Sequence, residues 1–335
     1  MTTVPDLPAA AEGATPAGPD LLTLGEVMRV FVAEPGDAVA RAERFRSSIG
    51  GAEGNVAIAV ARLGLRASWV GNVGTDDAGS YVLRRLRAEG VDVDGVGVVD
   101  GFTGMLIRNS SADGAISVSY HRAGSAGSRL DADLVRRAWA QGVPRAAHVS
   151  GITGLLSGSS LDAVRELMTL ADDAGVPVSF DVNLRTRLAP LDAWRTVIPE
   201  LAGRADLVFA GEAELALVEQ GEPLAVARGL CERRAKAVVL KNSDHTCTVV
   251  TADGVLTQPP LARRVVDPVG AGDGLVAGYL TGFLAGDGPA ECLRQGAAVA
   301  AFAVGGWSDT EDYPTPAELA GFLASLDGGV EQVLR

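Results

Sequence analysis

Short apolar runs alternate with longer amphipathic ones along most of this chain. Residues 21–24 form a compact apolar run closed by Gly25-Glu26, which predicts a first strand, and residues 27–33 are strand-like. Residues 56–64 (VAIAVARLG) predict a helix that Gly64 stops. Residues 67–71 predict a strand and 76–89 a helix with Arg84, Arg85 and Arg87 on its solvated side. Residues 103–107 and 116–120 flank a polar segment with Asp113-Gly114, the pattern of a hairpin. From residue 145 the rhythm becomes regular. Strands are expected at the segment ending in His148-Val149-Ser150 and at 176–182, 207–210 and 237–240. Helices are expected at 160–174, 192–202, 212–219, 223–234, 289–304 and 316–326.

Such alternation predicts an α/β protein with a doubly wound, mostly parallel sheet. The extra strand-like stretches at 27–49 and 97–122 break the rhythm, so they are expected to form a small separate sheet projecting over the core. Residues 1–20 are rich in Pro, Ala and Gly, with little to bury, and read as a disordered tail ahead of one domain over 21–335.

The densest chemistry lies in VVDPVGAGDGLVAGYL, residues 265–280. Asp267-Pro268 breaks regular structure, and Gly270-Ala271-Gly272-Asp273 then opens a helix. A glycine turn at a helix start leaves backbone N–H groups unpaired at the positive end of the helix dipole, which suits an anion. Asp273 stands at the mouth of that site, where a carboxylate can take a proton from an attacking hydroxyl. The turn alone also fits a structural reading. Gly274, Gly278 and Gly282 recur every four residues, so they share one helix face and signal close packing.

Ligands of open α/β sheets bind beyond the carboxyl ends of the strands. That edge collects Asp181, Asn183 and Arg185 after one strand, Glu214 after the next and Lys241 after a third. Arg185 can grip a carboxylate or phosphate through two parallel hydrogen bonds. Tyr120 and Arg122 share one face of an extra strand and suit a small hydroxylated anion, while His121 points the other way. His148 and His245 stand alone and read as structural, and Trp69, Trp139, Trp194 and Trp307 as packing.

Charge and composition narrow the classes. The formal net charge is -13, with no basic run, so neither nucleic acid nor an anionic membrane is an expected partner. An anionic substrate would need arginines placed at its site. The three cysteines stand far apart, without CxxC spacing, so neither a disulfide framework nor a zinc site is expected. With no secretory signal and no apolar stretch near the ~20 residues of a membrane span, a cytoplasmic location is expected. The GxxxxGK[ST] phosphate loop, the GxGxxG dinucleotide turn, the protein-kinase catalytic loop and the GxSxG nucleophile elbow are all absent.

Over residues 21–326 the chain resembles the ribokinase-like (PfkB) carbohydrate kinases, on GGAEGNVA (50–57) and above all DPVGAGD (267–273). Within that family YHRAGSAGS (120–128), SGIT (150–153) and DVNLR (181–185) are similar to the 2-keto-3-deoxygluconate kinase branch. The resemblance implies a three-layer α/β/α core with a β-sheet lid, dimers joined through the lids, and transfer from ATP with Mg²⁺ to a primary hydroxyl of a sugar acid. It implies Asp273 as general base, and the N–H groups of Ala271, Gly272 and Asp273, with Gly270, as an anion hole. Gly50, Gly51 and Asn55 would hold sugar hydroxyls; Tyr120, Arg122, Asn183 and Arg185 would hold the rest of the substrate. Glu214, Lys241, Ser243 and Asp267 fall on the nucleotide side, Glu214 acting on the metal through water, with a monovalent cation near Asp267.

The chain departs from the family pattern at Gly211 (usually Asn), at residues 241–246 (two glycines lost), at Leu275 (usually Phe), at Gly296 (often Asn) and at Leu106, where sugar-acid kinases often carry Tyr. A fructokinase- or nucleoside-kinase-like specificity, and a non-catalytic sugar-binding relative, are the alternatives.

Overall fold

The computed structural model describes residues 18–109, 116–262 and 264–328. Its centre is an eight-stranded sheet of order β14-β13-β12-β11-β10-β9-β1-β4. The parallel strands are β1 (Leu21–Leu24), β4 (Ala67–Val70), β9 (Ala146–Ser150), β10 (Val178–Asp181), β11 (Leu207–Gly211) and β12 (Ala237–Lys241). An antiparallel hairpin of β13 (Cys247–Thr251) and β14 (Gly254–Gln258) extends one edge.

Side-chain alternation along the strands builds a separate core on each face. Val208 and Ala210 of β11 enter one core; Leu207 and Phe209 enter the other. The first core is closed by α3 (Ala132–Trp139), α5 (Gly158–Ala174), α6 (Leu191–Gly203), α7 (Glu212–Val218) and α8 (Pro223–Arg233). The short α4 (Gly151–Gly154) follows β9 directly. The second core is closed by α1 (Ala52–Arg62), α2 (Asp77–Ala88), α9 (Ala271–Ala285), α10 (Pro289–Ala303) and α11 (Pro316–Leu326). The result is the expected three-layer sandwich. Trp69 and Trp194 are fully buried, and Trp139 nearly so. His148 is buried against Ser179, and burial pushes its pKa down to about 3, so it is neutral.

The separate sheet has the order β3-β2-β7-β8, from β2 (Met28–Ala33), β3 (Phe45–Gly50), β7 (Met105–Arg108) and β8 (Val118–His121). Met28, Val30, Val32 and Leu106 give it a small core of its own, with Val118 and Trp307 packed against it. The 97–122 stretch divides: β6 (Gly97–Val99) pairs instead with β5 (Asn72–Gly74) in a two-stranded parallel ribbon beside the main sheet. Residues 110–115, with the anticipated Asp113-Gly114 turn, lie outside the described residues, as do 1–17 of the anticipated tail. Asp20, at the end of that stretch, is buried, and its carboxylate pairs with Arg66 and Arg145. The β13–β14 hairpin and α3 were not anticipated. Among the described residues no helix is long and apolar enough to cross a membrane.

Candidate active site

The first turn of α9 sits at the carboxyl edge of the parallel strands. Gly270 precedes it in the left-handed region (φ 83°), and a Cβ there would lie 2.3 Å from the carbonyl oxygen of Asp309. Both facts require glycine. No side chain caps the helix start. The Ala271 N–H, anticipated as part of the anion hole, leans instead on the Pro268 carbonyl at 3.4 Å. The N–H groups of Gly272 and Asp273 remain for an anion, and the space beside Gly272 is open.

The Asp273 carboxylate accepts a 2.7 Å hydrogen bond from the Asn55 side-chain amide. The other end of that amide takes the Gly51 N–H at 3.3 Å. Asn55 therefore braces the carboxylate and the Gly51 turn, and one N–H of its amide remains beside the cavity that it lines. Burial raises the Asp273 pKa to about 7, helped by the negative charges of Asp181 and Asp309 and opposed by Asn55 and Arg185. Gly50 stands against Asp309, whose Oδ2 would lie 2.7 Å from an added Cβ.

A cavity of about 200 Å³ opens above Asp273 and brings together Gly51, Asn55, Tyr120, Arg122, Arg185 and Gly270. The lid strands roof it, with Leu106 and Val118 supplying apolar wall. A wider groove of about 580 Å³ continues past Tyr120, Arg122 and Arg185 toward Arg187.

The two arginines differ in state. The Arg122 guanidinium is paired with buried Glu26 at 2.5 Å and donates to it again from Nε at 2.8 Å. Gly104 and Gly127 make room for that carboxylate, since a Cβ on either would lie 2.6 or 2.3 Å from Glu26. Arg185 is exposed, donates to its neighbour's carbonyl (Leu184) at 3.0 Å, and has no carboxylate at ion-pair distance among the described residues. Of the anticipated arginine pair, Arg122 is thus internally neutralised and Arg185 alone is without a carboxylate partner among the described residues. Asn183 is buried in a left-handed conformation (φ 48°) and does not line the cavity.

The nucleotide-side candidates lie along the strand ends outside this cavity. Lys241 pairs with Asp181 at 2.7 Å and lies 3.6 Å from Glu214. Burial would lower the lysine pKa, but these two carboxylates outweigh it and raise it, so the side chain stays charged. Glu214 also accepts the backbone N–H groups of Gly211 and Leu184 at 2.6 and 2.7 Å, which ties α7 to the loop after β10. The Ser243 N–H reaches Glu212 at 3.3 Å in the turn that replaces the family's glycines.

Among the described residues no group of three or more His, Cys, Asp or Glu could hold a metal ion. Mg²⁺ held mainly by water and substrate phosphates needs only one or two carboxylates; both Glu214 oxygens already accept backbone N–H groups and Lys241 lies 3.6 Å away, so Glu214 could act on such an ion only through water. A monovalent cation on Asp267 does not fit. One oxygen of that carboxylate takes Arg108 at 2.6 Å and the other takes the Val269 N–H at 3.1 Å. A second cation about 4 Å from the guanidinium would be repelled by about 4 kcal/mol at an effective dielectric of 20.

Reasoning from the sequence did not find Glu26, Arg108 or Asp309. For Arg108 a signal existed: strand alternation puts it on the same face as Leu106. Glu26 and Asp309 sit in connecting segments without a motif. Glu53 was also missed; it accepts from the backbone and hydroxyl of Ser150 and from Thr153, locking α1 to the end of β9.

A model of the pfkB family carbohydrate kinases matches residues 19–316. The chain is 34% identical over 312 residues to the 2-dehydro-3-deoxygluconokinase of Bacillus subtilis (strain 168), covering 91% of this chain and 96% of that protein. It is 32% identical over 275 residues to fructokinase-1 of Zea mays, covering 79% of this chain and 83% of that one. The crystal structure of a fructokinase with bound ATP from Xylella fastidiosa superposes with a TM-score of 0.81 at 24% identity, covering 92% of this chain and 99% of that one. With its three-layer core, its lid and a glycine-opened helix beneath the cavity, the chain belongs to the pfkB family of carbohydrate kinases, phosphotransferases whose acceptor is an alcohol group.

Proposed function

We propose that this protein is an ATP-dependent sugar-acid kinase, with 2-keto-3-deoxygluconate as its acceptor. One observation carries the reading. A raised, braced carboxylate at an uncapped helix start shares a small cavity with one unpaired arginine. ATP supplies the phosphoryl group, and Mg²⁺ offsets charge on its phosphates. Asp273 accepts the proton of the acceptor's primary hydroxyl as that oxygen attacks. The N–H groups of Gly272 and Asp273 stabilise charge on the transferring group. Such donors are worth about 3–4 kcal/mol each when removed. Arg185 takes the substrate's carboxylate, Arg122 presents the face that Glu26 leaves open, and Tyr120 closes the side. Lys241, Ser243, Asp181 and Glu214 serve the nucleotide side. The family resemblance further supports a cytoplasmic homodimer joined through the lids.

Arg185→Ala tests the substrate assignment. Charge-assisted hydrogen bonds of about 1.5–3 kcal/mol predict a KM for the sugar acid raised on the order of 10- to 100-fold. The KM for fructose should stay put. A second reading, fructokinase-like specificity, is favoured by the internal neutralisation of Arg122 and by the maize relative. An unchanged KM for the preferred substrate in Arg185→Ala would select it.

A further inference from the structure

A buried cation belonging to the chain itself joins the lid to the turn beneath the cavity. Arg108 ends lid strand β7 and is 1% exposed. Its guanidinium donates to Asp267 at 2.6 Å and lies 3.6 Å from Asp309. Another N–H reaches the Asn109 carbonyl at 3.3 Å. The Nε of Arg108 and one oxygen of Asp309 are buried without a hydrogen-bond partner among the described residues. Asp267 opens the turn and holds its next bend through the Val269 N–H. Asp309 comes from a separate loop whose backbone carbonyl is pressed against Gly270. One lid side chain therefore sits between the two segments that fix where Gly270–Asp273 lies.

We propose that Arg108 is the resident cation of the anion-hole turn: it neutralises Asp267 in place of a monovalent metal ion and positions Gly270–Asp273 from the lid. This rests on the reading of that turn as the site of phosphoryl transfer. An arginine stays charged at every working pH and cannot exchange with solvent ions, so the site is filled permanently. Because the same sheet roofs the acceptor cavity, substrate contact with the lid bears on the turn through Arg108. Arg108 stands in the wall of the acceptor cavity, but its guanidinium is buried and turned to Asp267 and the Asn109 carbonyl, so in this scheme it acts through the turn and is a positioning residue.

The first test needs no turnover. Thermal unfolding of the full chain is followed in potassium, sodium and tetramethylammonium chloride at equal ionic strength. A cation bound only to the folded state would raise the Tm by mass action. The proposal predicts superimposable curves, and activity in the three salts within about twofold. A Tm rise specific to potassium or sodium, or activation of about tenfold by either, overturns it.

The second test separates charge from packing. Arg108→Lys should keep kcat within about tenfold of the parent, while Arg108→Gln should lose on the order of 100-fold, with the sugar KM moving less than about threefold in both. Equal losses in the two variants, or a loss confined to KM, overturns the positioning role. Should Arg108→Gln fail to fold, the salt comparison on the parent protein still decides. Silence of the parent toward every sugar would count against the proposed reaction and leave the unfolding result standing.

Discussion

As the proposed base, Asp273 meets two opposed demands. A base must be ionised to accept a proton, yet must hold protons tightly enough to be effective near neutral pH. Burial, with Asp181 and Asp309 nearby, raises its pKa to about 7, while the Asn55 amide keeps it aimed. Asp273→Asn removes the base without changing size, and a drop in kcat of about 10²- to 10⁴-fold is expected, with the Tm and circular dichroism of the parent retained. Near-parental kcat would refute the assignment. The sign of the pH dependence follows from the raised value. Below about 7 a growing fraction of Asp273 is protonated and cannot accept, so kcat/KM should fall about tenfold per unit on the acid side and level off above. A flat profile from about pH 5 to 8 would show that another group takes the proton. The residues of this turn were legible because Pro268, the glycines and Asp273 are contiguous. The ion pairs were not: Arg122 meets Glu26 across 96 residues and Arg108 meets Asp267 across 159, and no local period encodes such pairings.

Helices α9 and α10 show how one element is fitted to another. A Cβ on Gly278 would lie 2.7 Å from the Gln295 carbonyl and 2.8 Å from the Gly296 Cα. Gly296 is equally tight, 2.7 Å from the Leu275 carbonyl, so the residue that departs from the family's Asn serves helix packing here. The four-residue glycine spacing correctly signalled this close face. Gly278→Ala gains about 1 kcal/mol of helix propensity, but backbone atoms cannot move aside as a flexible side chain can. Overpacking of about 1–3 kcal/mol should win, lowering the Tm by a few degrees. A raised Tm would show that the two helices have slack. The strand–helix alternation after residue 145 was likewise readable, because strands buried on both faces are short and apolar. The β13–β14 hairpin escaped although Val249, Val250 and the turn at Asp253-Gly254 carry ordinary hairpin chemistry. Lys241–Thr246 reads in the sequence as a nucleotide segment, whereas in the fold it is the turn leading into that hairpin. Residues 97–99 were assigned to the lid because nothing in so short a stretch indicates which strand it will join.

At the scale of the molecule, the sheet places the proposed catalytic groups along one edge, under the lid strands. The net charge of -13 repels a small anion at long range, so in the proposed reading its capture falls to Arg185, which lines the cavity. Arg122, matched by Glu26, would then contribute direction rather than net charge. This division was not visible in the chain, where each arginine stands two or three residues past an expected strand and the two look alike. The most direct measurement is ADP release with ATP and Mg²⁺ across 2-keto-3-deoxygluconate, gluconate, fructose, ribose and adenosine. The account predicts a response dominated by the keto-deoxy acid. A response dominated by fructose, ribose or adenosine would contradict it.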